Sequence, residues 1–194
     1  MCEKKKVAVL FGGCSTEYEV SLQSGYAVAT QLDASQYEVI LIGITREGNW
    51  RRYYGVPEHI ADGSWTSDQV CVPAILSPSR DMQGILEFQK DQVVFTPIDI
   101  VFPVLHGKNG EDGTVQGLLE MAGIPFVGCN TLSSAICMDK DIAHRLVEKE
   151  GILTPASVML TRPVSSATLQ KKRGGLKFPL FVKPVSAGSS VGVA

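Results

Sequence analysis

The first apolar stretch of this chain is short and unbroken, Lys6 to Phe11, and it is closed by Gly12-Gly13. An apolar run without polar alternation predicts a strand buried on both faces, as in parallel sheets, reaching a turn. Thr16-Glu17-Tyr18-Glu19 follows and fits a capping box, a threonine with a glutamate three residues on. It predicts a helix from about Glu17 to Gln31, with Val20, Ala27 and Val28 among the inward positions. Tyr37 to Ile44 (YEVILIGI) is the next strand. Strand, glycine turn, helix, strand opens a doubly wound, Rossmann-like α/β domain.

Residues 45–97 are less regular. Glu47-Gly48-Asn49-Trp50 reads as a hairpin turn, and Gly, Pro, Ser and Asp are scattered through 55–80. Ile85 to Phe88 and Val93 to Thr96 form a short hairpin around Lys90-Asp91. The stretch reads as an insertion on the α/β frame rather than a separate domain. Regular patterning resumes with a buried strand over Ile98 to Leu105, a helix from about Thr114 to Met121 and a short strand over Pro125 to Val127. Gly128 closes the first domain, so the division is 1–128 and 129–194. The second part begins with helices at Thr131 to Met138 and Asp139 to Glu150, the latter with Ile142, Ala143, Leu146 and Val147 on one face. Ser157 to Leu160 and Phe178 to Val182 read as strands, with a helix near 165–171 between them.

Composition narrows the classes. At 194 residues, 44% hydrophobic and 20% charged, the chain can bury a core. Its apolar runs are too short to span a bilayer, and no signal-peptide core follows the charged start, so a cytoplasmic protein with no membrane partner is expected. Cys2, Cys14, Cys71, Cys129 and Cys137 show no Cys-x-x-Cys spacing and read as reduced, small core residues rather than zinc ligands. The net charge of −2 is unevenly spread. All 20 acidic residues lie in 1–150 with 12 basic ones, whereas 151–194 carries six basic residues and no carboxylate. Aromatics are not interleaved with those bases, so nucleic acid is not the expected partner.

Three constellations carry candidate chemistry. Gly12-Gly13 lacks the Gly-x-Gly-x-x-Gly of dinucleotide sites, and Glu17 at that helix start would repel a pyrophosphate but suit an ammonium group. As an acidic residue in a first turn, Glu17 also suits the helix dipole alone. His106 precedes a loop containing Gly107, Gly110 and Gly113, where backbone can approach a ligand and a helix N-terminus can attract an anion. Both residues fall beyond the carboxyl ends of strands, which suggests an amino-acid site. Gly188-Ser189-Ser190-Val191-Gly192 matches the Gly-x-Ser-x-Gly of serine hydrolases, yet only Val193 and Ala194 follow, leaving no room for the acid and histidine. Backbone N–H groups here, with Lys183, suit a phosphate instead.

FGGCSTEYEVSLQSG at 11–25, VLHGKNGEDGTVQGLLEMAGIPFVGC at 104–129, SSAICMDK at 133–140 and FPLFVKPVSAGSSVGV at 178–193 together resemble the D-alanine–D-alanine ligases. The resemblance extends to their vancomycin-resistance relatives that make D-alanyl-D-serine or D-alanyl-D-lactate. It covers essentially the whole chain and is weakest across 50–95.

The resemblance implies an ATP-grasp enzyme, with a pre-ATP-grasp domain over 1–128 and the beginning of the ATP-grasp domain over 129–194. The family phosphorylates the carboxylate of a first D-alanine with ATP, and the amine of a second residue attacks the acyl phosphate, for peptidoglycan precursors. Carried over, Glu17 holds the first ammonium with Val20 against the methyl, and His106 lies near the carboxylate. Lys140 and Lys183 contact ATP phosphates, Gly188, Ser189 and Ser190 belong to the phosphate-covering loop, and Ser189 connects toward Glu17. Glu17, His106 and Ser189 are thus the catalytic candidates. Two Mg2+ ions are implied, with their ligands expected beyond residue 194 and none in this chain. A homodimer through the N-terminal domain is implied too. The family's chains are much longer, so an N-terminal portion inactive by itself is expected. The alternatives are a D-alanine–D-serine ligase and, for the portion alone, a non-catalytic amino-acid-binding or dimerisation module.

Overall fold

The computed structural model describes residues 3–67, 69–188 and 192–194. They fall into two compact units, Met1–Ala135 and Ile136–Ala194. The first is built on β1 (Lys5–Gly12), whose side chains alternate between two cores. Ala8 and Leu10 join one cluster, while Val7, Val9 and Phe11 join the other. Strand β2 (Tyr37–Ile44) does the same, with Ile40, Ile42 and Ile44 on one side and Leu41 on the other. Period-two geometry therefore turns each unbroken apolar run into two hydrophobic faces, each of which needs a cover.

Helix α1 (Tyr18–Gln31) covers one face through Tyr18 and Leu22. After β2 the chain extends the sheet with antiparallel strands β3 (Trp50–Tyr53), β4 (Cys71–Leu76), β5 (Gly84–Gln89) and β6 (Gln92–Pro97). A short helix, α2 (Glu58–Ala61), and a 3-10 turn at Ser64–Ser67 lie between β3 and β4. Strand β7 (Ile100–Pro103) returns to pair parallel with β1 on its free side, and helix α3 (Thr114–Ala122) covers the second face through Val115, Leu119 and Ala122. The sheet order is β6-β5-β4-β3-β2-β1-β7. Residues 45–97 thus continue the frame's own sheet. The 3-10 turn seats Trp65 edge-on against Phe11, with ring centroids 5.0 Å apart, and Trp65 Nε1 donates to the Tyr18 hydroxyl.

Several expectations need correction. Val20 and Ala27 are exposed on α1; Tyr18, Ser21, Leu22 and Gly25 face inward instead. No capping box forms, because the helix starts after Glu17 and Glu19 pairs with Arg46. Strand β4 was not expected, since Pro73 interrupts its pattern, although Pro73 still pairs in register with Arg51. The strand expected over Ile98 to Leu105 contracts to four residues, and that at 125–127 to a single bridge between Phe126 and Val101. Cys14, Cys129 and Cys137 are exposed rather than core residues, because they occupy loops and the end of a helix.

In the second unit, α5 (Lys140–Lys149) is capped by Asp139, which accepts from the N–H groups of Asp141 and Ile142 at 3.0 Å each. It follows α4 (Thr131–Met138), which ends within this unit. Helix α6 (Ser166–Arg173) is capped by Ser165. The strands expected at 157–160 and 178–182 are absent. Both segments lack a described partner ladder, and Phe181 is 81% exposed. Among the described residues of these segments, only Val182 has a reciprocal backbone partner, Ala194, at 2.7 and 2.8 Å.

Candidate amino-acid site

Strands β1 and β7 are parallel neighbours, yet α1 and α3, which follow them, cover opposite faces of the sheet. Their carboxyl ends therefore open a crevice between diverging chains, the topological switch point where open α/β sheets bind ligands. The β1–α1 loop brings Glu17 to this crevice and the β7–α3 loop brings His106. A surface hollow of about 350 Å³ lies instead at the amino ends of the same strands, lined by Lys4, Lys6, Gln83 and Asp99 among others. Within it Asp99 accepts from Lys5 Nζ and from the Lys6 N–H.

Glu17 is 5% exposed, and among the described residues its carboxylate accepts no hydrogen bond and forms no ion pair. Gly107 packs against it, so that an added β-carbon there would lie 2.3 Å from Oε2. Gly107 has φ +67°, a left-handed conformation that glycine adopts without strain. The hydroxyl of Ser15 ties the two loops together, donating to the His106 carbonyl at 2.8 Å and accepting the Glu17 N–H at 3.1 Å. Below it, Ser21 accepts the Gly12 N–H at 2.9 Å and donates to the Val104 carbonyl.

The His106 ring has Ser24 on one side and Glu111 on the other. Its Nε2 meets Ser24 Oγ at 3.1 Å, and its Nδ1 is 3.9 Å from Glu111 Oε1, beyond hydrogen-bond range. The other Glu111 oxygen accepts the Gly107 N–H at 2.8 Å. Asp112 accepts the N–H groups of Asn109 and Thr114 at 2.9 and 3.0 Å and so shapes the start of α3. Burial works against ionisation of Asp112, but these donors prevail and its carboxyl lies below the ordinary aspartate range. The crevice thus offers an unpartnered carboxylate on one wall and an imidazole beside a helix start on the other. That arrangement suits a small zwitterion better than a dinucleotide.

Val20 lies on the first turn of α1 and is 44% exposed. In the second unit Lys140 is turned inward, its ammonium donating to the carbonyls of Val185 and Ala187. Those carbonyls lead directly into Gly188, so Lys140 shapes the approach to the glycine-serine segment. Lys183 is exposed and follows an irregular segment, not a strand. Ser189 and Ser190 lie outside the described residues. Among the described residues no group of three His, Cys, Asp or Glu side chains could hold a metal ion, and 151–194 contains no carboxylate, so the side chains described do not fit a magnesium pair. No described helix is long and apolar enough to cross a membrane.

Ser15, Ser21, Ser24 and Glu111 were not singled out from the sequence as site residues. Ser21 and Ser24 carried a signal, since they stand three apart on a helix whose partner positions Tyr18, Leu22 and Gly25 are buried.

The family model for the N-terminus of D-Ala D-Ala ligases matches residues 6–129. The D-alanine--D-alanine ligase of Thermoanaerobacter sp. (strain X514) is 47% identical over 193 residues, 98% of this chain and 53% of the relative. The vancomycin/teicoplanin A-type resistance protein VanA of Enterococcus faecium is 42% identical over 97% of this chain and 52% of its own length. Among solved structures, the VanG D-Ala:D-Ser ligase from Enterococcus faecalis superposes with a TM-score of 0.87 at 50% identity, covering 98% of this chain and 55% of that one. The D-alanine-D-alanine ligase from Coxiella burnetii does so at 0.84 and 33% identity. The chain spans about half the length of these relatives. With its α/β frame, its switch-point crevice and a family match over residues 6–129, the chain belongs to the D-alanine–D-alanine ligase family.

Proposed function

We propose that this chain supplies the amino-acid site of a cytoplasmic ligase that joins D-alanine to D-alanine for peptidoglycan precursors. Residues 1–128 form the substrate domain, and 129–194 open an ATP-grasp domain. The observation that carries the reading is the buried, unpartnered Glu17 carboxylate at the switch point. A carboxylate removed from water is costly without a counter-charge, and a substrate ammonium supplies one. Glu17 then fixes the first D-alanine, Val20 lies against its methyl, and His106 with the start of α3 favours its carboxylate.

In the reaction a carboxylate oxygen of the first D-alanine bonds to the γ-phosphorus of ATP as ADP leaves. The amine of the second residue forms the amide bond as phosphate leaves. Lys140, Lys183 and the segment Gly188, Ser189 and Ser190 are the residues assigned to the ATP phosphates, where fixed positive charge and N–H groups stabilise developing oxyanions. Ser189 links this segment toward Glu17. The metal requirement of such transfers falls to residues outside the described set. Pairing of two copies through the N-terminal domain belongs to the same reading and is checked by light scattering.

The test uses the complete reading frame with ATP and D-alanine. The natural enzyme is expected to release phosphate and form the dipeptide, and Glu17→Gln to lose at least about 100-fold in kcat/KM. A silent natural enzyme, or an unaffected Glu17→Gln, overturns the proposal. A second reading, D-alanine to D-serine, is favoured by the 50% identity to the D-Ala:D-Ser ligase. Mass spectrometry of products from D-alanine alone and from D-alanine with D-serine decides between them.

A further inference from the structure

We propose that Ser15 is a positioning residue of this amino-acid site, its hydroxyl setting the separation between Glu17 and His106. The inference rests on the ligase reading above. One oxygen performs both halves of the connection, giving its proton to the His106 carbonyl at 2.8 Å and taking the Glu17 N–H at 3.1 Å. That division of roles is within the capacity of a single hydroxyl. The carbonyl it holds belongs to the peptide that leads into Gly107, the residue packed against the Glu17 carboxylate. The hydroxyl therefore joins the main chain of each recognition residue to that of the other, across a sequence separation of 91 residues.

Two other hydroxyls in the crevice have different duties. Ser21 is fully buried at the base of the loops and joins Gly12 to Val104, fixing the strand ends. Ser24 meets the His106 ring and no backbone of the Glu17 loop. Ser15 is half-buried at the loop tips, where the β1–β7 pairing is already complete without it. Its loss should leave the fold standing and loosen the grip on a zwitterion, whose two charged ends demand fixed partners.

The test compares the natural complete ligase with Ser15→Ala and Ser15→Thr. Ser15→Ala is expected to raise the KM for D-alanine in phosphate release about tenfold while the Tm moves by no more than about 2 °C. It should also speed hydrogen exchange at the Glu17 amide. Ser15→Thr, which keeps the hydroxyl, should restore both readouts. An unchanged KM in Ser15→Ala, or Ser15→Thr no better than Ser15→Ala, overturns the positioning role while leaving the ligase reading intact. Silence of the natural enzyme itself overturns the ligase reading and this role with it.

Discussion

Gly107 stands so close to Glu17 that a β-carbon added to it would lie 2.3 Å from the carboxylate Oε2. The contact is to the tip of a side chain, so a substituted residue would push the carboxylate aside rather than break the fold. Gly107→Ala is expected to lower stability by about 1–2 kcal/mol, the cost of a left-handed alanine. In the complete enzyme it should lower kcat/KM by at least about 100-fold, because the carboxylate proposed to hold the substrate ammonium is displaced. Denaturant melts and steady-state kinetics on the same variant separate the two effects; equal, small losses in both would count against the displacement.

Gly43 makes the opposite case. A β-carbon there meets two ring carbons of Trp65 at 2.4 Å and Phe11 at 2.9 Å, inside a core where Trp65 has no exposure. Neither ring can move away, so Gly43→Ala is expected to destabilise by about 1–3 kcal/mol or more. A urea midpoint matching that of the natural protein would refute the packing argument.

The sheet extension is held by buried charge. Glu87 is fully buried on β5, takes a hydrogen bond from Thr96 at 2.6 Å and another from the Tyr54 hydroxyl, and lies 3.9 Å from Arg52 Nε. Arg52 in turn donates to the carbonyls of Leu41 and Tyr53 at 3.1 and 2.7 Å. Glu87→Ala leaves a buried guanidinium without its counter-charge and should cost about 3–5 kcal/mol, measured by chemical denaturation. The double replacement of Arg52 by Met and Glu87 by Leu is expected to cost less than the sum of its parts.

Asp112 gives a pH dependence. Its folded carboxyl titrates below the unfolded value of 3.8, since the Asn109 and Thr114 donors outweigh its burial. A lowered folded pKa stabilises above the unfolded pKa and is lost as pH falls through the folded one. The loop from Gly107 to Thr114 should therefore hold at neutral pH and loosen below about pH 3.8. Amide exchange at Asn109 and Thr114 followed by NMR reads this directly, and protection that does not weaken as Asp112 takes up its proton would contradict it.

Much of the frame was legible because its strands are unbroken apolar runs and its helices are bounded by turn residues. β1, β2, the β5–β6 hairpin and α3 to α5 all lie within a few residues of expectation. Local patterns failed where tertiary context decides. Thr16 and Glu19 have capping-box spacing, but the backbone at Glu17 carries that residue into the crevice and Glu19 goes to Arg46. Val20 is apolar yet exposed, while polar Ser21 takes the buried position because two loop backbones need its hydroxyl. The segment at 178–182 has a strand's composition, but among the described residues it forms no strand ladder beyond the Val182–Ala194 pair. Glu17 and His106 could be placed at one sheet end from topology alone, whereas the Ser15 bridge depends on distances that no spacing encodes.

The position of β1 between β2 and β7 also sets a timetable. Val7 pairs with Val39 and with Ile100, so the partner on one side of the central strand is synthesised well before the partner on the other. On a ribosome, the wall carrying Glu17 emerges and folds against β2 long before the wall carrying His106 exists. The nascent chain therefore passes through a long interval in which an acidic residue destined for burial remains in water, and the proposed amino-acid site is complete only once His106 and the start of α3 have followed β7 out of the exit tunnel.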